Sequence, residues 1–365
     1  MLGNGTTVTK GVDVNGRHAA TRLLCLAGLW LVWAAEAGEF SFAVIGDIQA
    51  GSFKQRLYDK SLFVAAKHPD FWIPVGDLVN ESNSTQWAAY HQHMGPLEDE
   101  CPTYPVVGNH DDDGTGGLSM FKAQFPGIQW VNEGKSYSFT HGDALFIMMP
   151  TYGSVNMSWL EGLLRNNTSK WVFAFQHNPF FSTGGGHATA ERDKYLAISD
   201  LLEEHAVNAV FSGHTHYFET IAPLNNHRIV SSYAEGTFYY NTNGFGWAGV
   251  AAGDMPWSLK VAAVEYQALF ALVTVTDGEA SVVTYDCDNG SVYDLTVLPA
   301  RRGSTAARRS APLRIRSQPV RPTSDAVALD LVGRRLPTLV PTMARGVRIV
   351  AEQGIADAAG LSVVR

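Results

Sequence analysis

Residues 71–80 read Phe-Trp-Ile-Pro-Val-Gly-Asp-Leu-Val-Asn: five apolar residues, a glycine, then a carboxylate. A short apolar run closed by glycine and a polar residue reads as a strand buried on both faces and ending in a turn. The form recurs along the chain. Residues 42–45 lead into Gly46-Asp47-Ile48-Gln49, and 104–107 into Gly108-Asn109-His110-Asp111. Residues 171–175 lead into Gln176-His177-Asn178, and 207–211 into Gly213-His214-Thr215-His216. Parallel sheets collect ligands at the carboxyl ends of their strands. Strand ends that each offer Asp, Asn, Gln or His therefore predict one shared site.

The intervening stretches predict helices over 53–67, 84–94, 159–165 and 195–205, the second capped by Ser84 or Thr85. Residues 137–149 predict a hairpin turning at His141-Gly142-Asp143. Three β-rich runs follow at 269–276, 281–285 and 292–298, separated by Asp277-Gly278 and Asn289-Gly290. Units of strand and helix followed by an antiparallel meander predict an α/β fold. Two mixed β-sheets pack face to face with helices outside, a four-layer α/β/β/α sandwich.

The net charge of −8 over 365 residues hides a division. Residues 301–365 hold 12 arginines, no lysine and 4 acids, so the rest of the chain carries −16. An acidic body excludes general nucleic-acid binding by the folded part, because phosphate backbones need basic surface. The 301–365 segment has no aromatic residue and is rich in Arg, Ala, Ser, Thr and Pro. It is expected to be a disordered basic tail, with contact to an anionic surface as its functional alternative. Residues 1–37 read as a signal peptide: Arg17 and Arg22, an apolar core over 23–34, then Ala35-Glu36-Ala37. An uncleaved anchor is the alternative. Residues 261–273 are apolar but short and broken by Glu265 and Gln267, so no membrane span is expected after cleavage. The expected location is outside the cell or in the secretory lumen, where Asn83, Asn156, Asn166, Asn167 and Asn289 head glycosylation sequons. There Cys101 and Cys287 either bridge or stay free. The folded domain is expected over 38–300.

The polar clusters define a donor set. Asp47 and Asp77 supply carboxylates, Gln49 and Asn109 amide oxygens, and His177, His214 and His216 imidazole nitrogens. No cysteine lies in any cluster, and mixed N/O ligation suits Mn, Fe or Zn. Seven ligands serve two divalent ions if one carboxylate bridges, and Asp77, ending a central strand, is the choice. Two carboxylates against two divalent cations leave net positive charge, which favours an anionic substrate, phosphate above all.

The ordered set D-x-Q, G-D-x-x-N, G-N-H-D, a lone His and G-H-x-H, from Gly46 to His216, resembles the calcineurin-like metallophosphoesterase superfamily. The resemblance implies a phosphoric ester hydrolase in which Asp47, Gln49, Asp77 and His216 hold one metal. Asp77, Asn109, His177 and His214 hold the other. It implies that His110 stays off the metals and faces substrate, with Asn80 and Asp111 behind. A hydroxide bridging the metals would attack phosphorus in line, without a phosphoenzyme. A monoester is the first expectation. A diester or pyrophosphate on a nucleotide or phospholipid head group, and a catalytically silent metal-dependent surface protein, are the alternatives. Two positions depart from the common pattern. Gln49 stands where most members have His. Asn80 stands where protein-phosphatase-like members carry Asp and purple acid phosphatases carry Tyr.

Weaker signals surround this set. His187, in the glycine-rich stretch 182–187, is expected either to touch substrate or to be an exposed loop histidine. Tyr239, Phe245 and Trp247 either line a leaving-group pocket or belong to the core. His91 and His93 are expected on the surface, and Asp112 and Asp113 in solvent.

Overall fold

Phenylalanines on alternate strand positions make the centre of this molecule. The computed structural model describes residues 38–51, 56–150, 155–182, 192–246, 259–263 and 268–301. The expected leader, nearly all of the expected tail, His187 and Trp247 lie outside them.

The first sheet contains β1 (Phe40–Ile45), β2 (Phe71–Pro74), β11 (Leu269–Val275), β12 (Glu279–Asp286) and β13 (Val292–Pro299). Its order is β13-β12-β11-β1-β2, parallel only between β1 and β2. The second contains β3 (Tyr137–His141), β4 (Ala144–Met148), β5 (Trp171–Phe175), β6 (Ala209–Ser212), β7 (Phe218–Asn225), β8 (Arg228–Ile229), β9 (Thr237–Asn241) and β10 (Leu259–Ala263). Its order is β10-β7-β9-β6-β5-β4-β3, with β8 paired to β7. Strands β4, β5, β6 and β9 are mutually parallel.

Side chains alternate across each strand, so every inner strand feeds two cores. Phe42 and Val44 of β1 join Phe71, Phe146, Phe173, Phe175 and Phe211 between the sheets. Phe42 stacks on Phe71 at 5.4 Å and meets Phe146 edge-on at 5.2 Å. The opposite face of β1, Ala43 and Ile45, packs on α1 (Leu57–Ala65), α2 (Ser84–Glu100) and α3 (Gly117–Gln124). The outer face of the second sheet, including Leu145, Ile147 and Val172, packs on α4 (Met157–Arg165) and α5 (Arg192–Glu204). The expected α/β/β/α sandwich is therefore the observed one.

Several boundaries differ from expectation. The N-cap of α2 is Asn83, whose side chain accepts the Gln86 N–H at 3.0 Å, rather than Ser84 or Thr85. That helix also runs past Pro96 to Glu100. Residues 104–107 do not form a full strand, although Tyr104 and Val106 donate to Trp72 and Pro74 and so run alongside β2. Cys101 and Cys287 are both free. Cys101 sits at the entry of β2. Cys287 donates its N–H to Ala268 at the entry of β11, which runs antiparallel to β1, so the two lie at opposite ends of the sheet. Arg301, assigned by composition to the tail, is buried and donates to the Tyr233 and Val207 carbonyls.

Candidate metal centre

The two sheets meet at one end through their polar strand termini. Asp47 N–H donates to Gly76 and Gln49 N–H to Asp77, so the segments leaving β1 and β2 stay side by side. Gly213 N–H donates to His177, which does the same for the segments leaving β5 and β6. Two bonds join the pairs across the sheets. The His214 N–H reaches Asp47 Oδ2 at 2.9 Å, and His177 Nδ1 reaches the Val75 carbonyl at 2.7 Å.

This convergence strains the chain. Asp47, Gln49, Asp77, His214 and His216 all have φ between 44° and 69°. Left-handed backbone costs a non-glycine residue about 1 kcal/mol or more, and such positions cluster at functional sites. The neighbouring glycines allow close approach. A Cβ on Gly108 would lie 2.1 Å from the Asp77 nitrogen, and one on Gly76, itself at φ 93°, 2.3 Å from His177 Nδ1.

Two overlapping donor groups result. Ligand atoms of Asp77, His177 and His214 lie within 4.8 Å of one another, and so do those of Asp47, Asp77 and His216. Asp77 belongs to both. Gln49 Oε1 and Asn109 Oδ1 are buried with no hydrogen-bond partner. Buried amide oxygens are nearly always satisfied, so a pair of orphans beside carboxylates fits oxygen ligands for a cation. The imidazoles make the same argument. His177 gives its Nδ1 proton to Val75, which in the neutral ring leaves a bare lone pair on Nε2. That atom faces Asp77 Oδ2 at 3.1 Å. His216 Nε2 faces Asp47 Oδ1 at the same separation. A lone pair against a carboxylate oxygen needs a proton or a cation between them. Burial opposes charge on His177, yet Asp77 and then Asp47 raise its pKa to about 9. Burial likewise pushes the Asp77 carboxyl up, but His177 and His110 outweigh it and hold the group below its usual value. The carboxylates thus demand positive charge here, and the N/O donor set fits two divalent ions.

Behind the donors, Asp111 is fully buried and accepts N–H groups of Leu78, Val79 and Gly108, which fixes the turn. Burial, with Asp77 nearby, pushes its carboxyl up to about 7 against those donors. His110 is partly exposed, with Nε2 4.0 Å from Asp77 Oδ2. Its Nδ1 bonds the Asn80 main-chain oxygen at 2.9 Å, so the carbonyl, rather than the Asn80 side chain, orients the ring. Tyr239 and Phe245, read either as pocket lining or as core, both lie among buried core residues. Tyr239 is buried toward α5, its hydroxyl on Glu203 Oε1 at 2.7 Å, and Phe245 is buried in the core beneath α1 and α2. His91 is on the surface as expected, and its ring bonds Glu98 and Gln124. Asp112 is not simply solvated, since Lys135 pairs with it. No spacing in the sequence marks that lysine.

Residues 40–218 match the model of the calcineurin-like phosphoesterase family. The match covers just under half of the chain and supports the superfamily that the motifs from Gly46 to His216 resemble. Purple acid phosphatase 23 of Arabidopsis thaliana is 26% identical over 165 residues, covering 41% of this chain and 36% of that protein. The chain therefore spans little more than a third of that curated relative. A probable cyclic nucleotide phosphodiesterase of Moraxella catarrhalis is 26% identical over 204 residues, covering 50% of this chain and 72% of that protein. The fold is similar to that of a purple acid phosphatase from yellow lupin seeds, with a TM-score of 0.64 and 17% identity. That likeness covers 78% of this chain and 58% of the lupin chain.

Proposed function

We propose that this protein hydrolyses phosphate esters, monoesters first, at a centre for two divalent cations that share Asp77. One observation carries the reading: Asp77 belongs to both donor groups, while Gln49 Oε1 and Asn109 Oδ1, flanking it in sequence order, are orphaned acceptors. Asp47, Gln49, Asp77 and His216 would hold one ion, and Asp77, Asn109, His177 and His214 the other. When bound, such ions supply Lewis acidity that polarises a phosphoryl group and lowers the pKa of water.

The protein's own groups do the rest. The His177 ring is fixed from behind by the Val75 carbonyl, and the His214 backbone is held by Asp47, before substrate arrives. His110 is the exposed member. Its Nδ1 is committed to Asn80, which leaves Nε2 to place a proton or positive charge against the phosphoryl oxygens or the leaving group. Mn, Fe and Zn all suit these donors. The amide oxygen of Gln49 is a harder donor than the imidazole common at that position, and it favours the harder ions.

Hydrolysis of p-nitrophenyl phosphate in Mn²⁺ tests the reading. Activity is expected in the parent protein and at least about a hundred-fold less in Asp77→Asn and His214→Ala. Equal activity in all three would reject it. A diester reading has its own support, because the chain covers more of the Moraxella relative than of the plant phosphatase. Comparing p-nitrophenyl phosphate, its bis ester and a cyclic nucleotide separates the two.

We further propose secretion, supported by the leader and the sequons. Among the described residues no helix is long and apolar enough to cross a membrane. Mass spectrometry of the secreted chain would find cleavage near Ala37, or else contradict this.

A further inference from the structure

The loop bearing Asn109 and His110 is buttressed from outside by a strained turn. Asn132, Glu133 and Gly134 are consecutive and all left-handed, with φ of 49°, 62° and 84°. Glu133 lacks the short polar side chain that lets Asn or Asp settle in this region. A backbone outlier persists only where its surroundings hold it. Here Val131 and Ser136 exchange N–H···O bonds across the turn's base. Tyr137, the next residue, donates its hydroxyl to the Pro105 carbonyl at 2.9 Å and meets Trp130 edge-on. The turn thereby delivers Lys135 onto the Asp112 carboxylate, with 21% of the lysine and 30% of the aspartate side chain exposed. Its two outward contacts land on either side of Asn109 and His110: Tyr137 at Pro105, Lys135 at Asp112.

The loop's other anchors all reach one element, the segment that follows β2. Asp111 accepts from Leu78 and Val79, and the Asp113 carbonyl accepts from Ser82. Asp112 reaches a different element. His110 itself has a slender hold: its Nδ1 on Asn80, and its backbone N–H on Asp77 Oδ1 at 2.9 Å. A small shift of the loop would turn the ring away from Asp77, and misplacement of about an ångström costs reactions heavily.

We propose that Lys135 is a positioning residue: by pairing with Asp112 it fixes residues 109–113 and so aims His110. This rests on the phosphoesterase reading, because that reaction is what the aimed imidazole serves. The test uses Lys135→Met, Lys135→Arg and the charge swap Asp112→Lys with Lys135→Asp. It measures p-nitrophenyl phosphate hydrolysis in saturating Mn²⁺, bound metal, and amide hydrogen exchange over 108–114. In Lys135→Met, kcat is expected to fall about ten-fold with KM within about two-fold, metal content unchanged and exchange faster. Lys135→Arg and the swap are expected to recover most of the loss, and the swap carries the test if Lys135→Met does not fold. Unchanged kcat and exchange, a loss of kcat accompanied by loss of metal, or a swap no better than Lys135→Met would overturn the inference. If the parent protein hydrolyses nothing, the functional reading fails. Exchange over 108–114 then still decides whether Lys135 holds the loop.

Discussion

At position 80 the main chain, not the side chain, holds His110. His110 Nδ1 rests on a carbonyl oxygen that any residue supplies, so the local departure from the family pattern is milder than the residue letters imply. Asn80→Ala is accordingly expected to leave kcat for p-nitrophenyl phosphate within about three-fold of the parent, whereas losing a positioned acid costs about 10²–10⁴-fold. A drop in Asn80→Ala as large as that in His110→Ala would show that the amide itself is needed. The donor residues were readable because chemistry restricts them: only Asp, Asn, Gln and His appear, each behind an apolar run. Their left-handed backbones were not readable, since nothing in Asp47 or His216 as a residue type announces φ of 49° or 58°. Those angles come from two sheets closing on one point, and no local propensity encodes that.

Among the elements, α2 and α3 share a staple the sequence conceals. His91 on α2 reaches Glu98 Oε2 through Nδ1 at 2.9 Å and Gln124 Oε1, at the end of α3, through Nε2 at 3.0 Å. Gln124 is itself oriented by its Nε2 donating to Met120, so His91 faces acceptors on both sides and favours the imidazolium. The hydrogen bond to Glu98 raises its pKa above 6.5, against partial burial. A raised folded-state pKa stabilises fully below the unfolded value near 6.5, and the gain is lost as pH rises through the folded value. Because the pair is substantially exposed, the effect is at most about 1 kcal/mol. His91→Ala should therefore lower Tm by a few degrees at pH 5.5 and by less at pH 8.5, and an equal loss at both pH values would contradict the staple. Helices α4 and α5 were legible from their apolar spacing. Helix α3, only eight residues long and opened by glycine at both Gly116 and Gly117, was not. Strand β9 was missed because the aromatic, polar run at 238–247 reads equally as pocket or core.

Across the whole molecule, the residue at the expected start of the tail packs on the folded body. Arg301 belongs to the body: its guanidinium is buried and donates to carbonyls of Val207 and Tyr233, tying the end of the meander to the second sheet. Burial lowers its pKa to about 10, yet it stays charged at neutral pH. Arg301→Ala removes one donor from the Tyr233 carbonyl and one of two from the Val207 carbonyl, which keeps the Thr237 hydroxyl, and is expected to cost about 1–2 kcal/mol, read as a lower urea midpoint at unchanged m-value. A midpoint equal to the parent's would place Arg301 with the tail after all. The sandwich itself followed from strand ends and a terminal meander, while strand order depended on pairings between residues more than a hundred positions apart, as between Phe40 and Val275. Everything functional depends on Asp77 serving two ions at once, and metal content per chain measures this directly. After loading with Mn²⁺ and gel filtration, the parent protein should carry two ions, His216→Ala about one, and Asp77→Asn neither. Two ions retained in Asp77→Asn, or a parent protein that never binds more than one, would contradict the shared carboxylate.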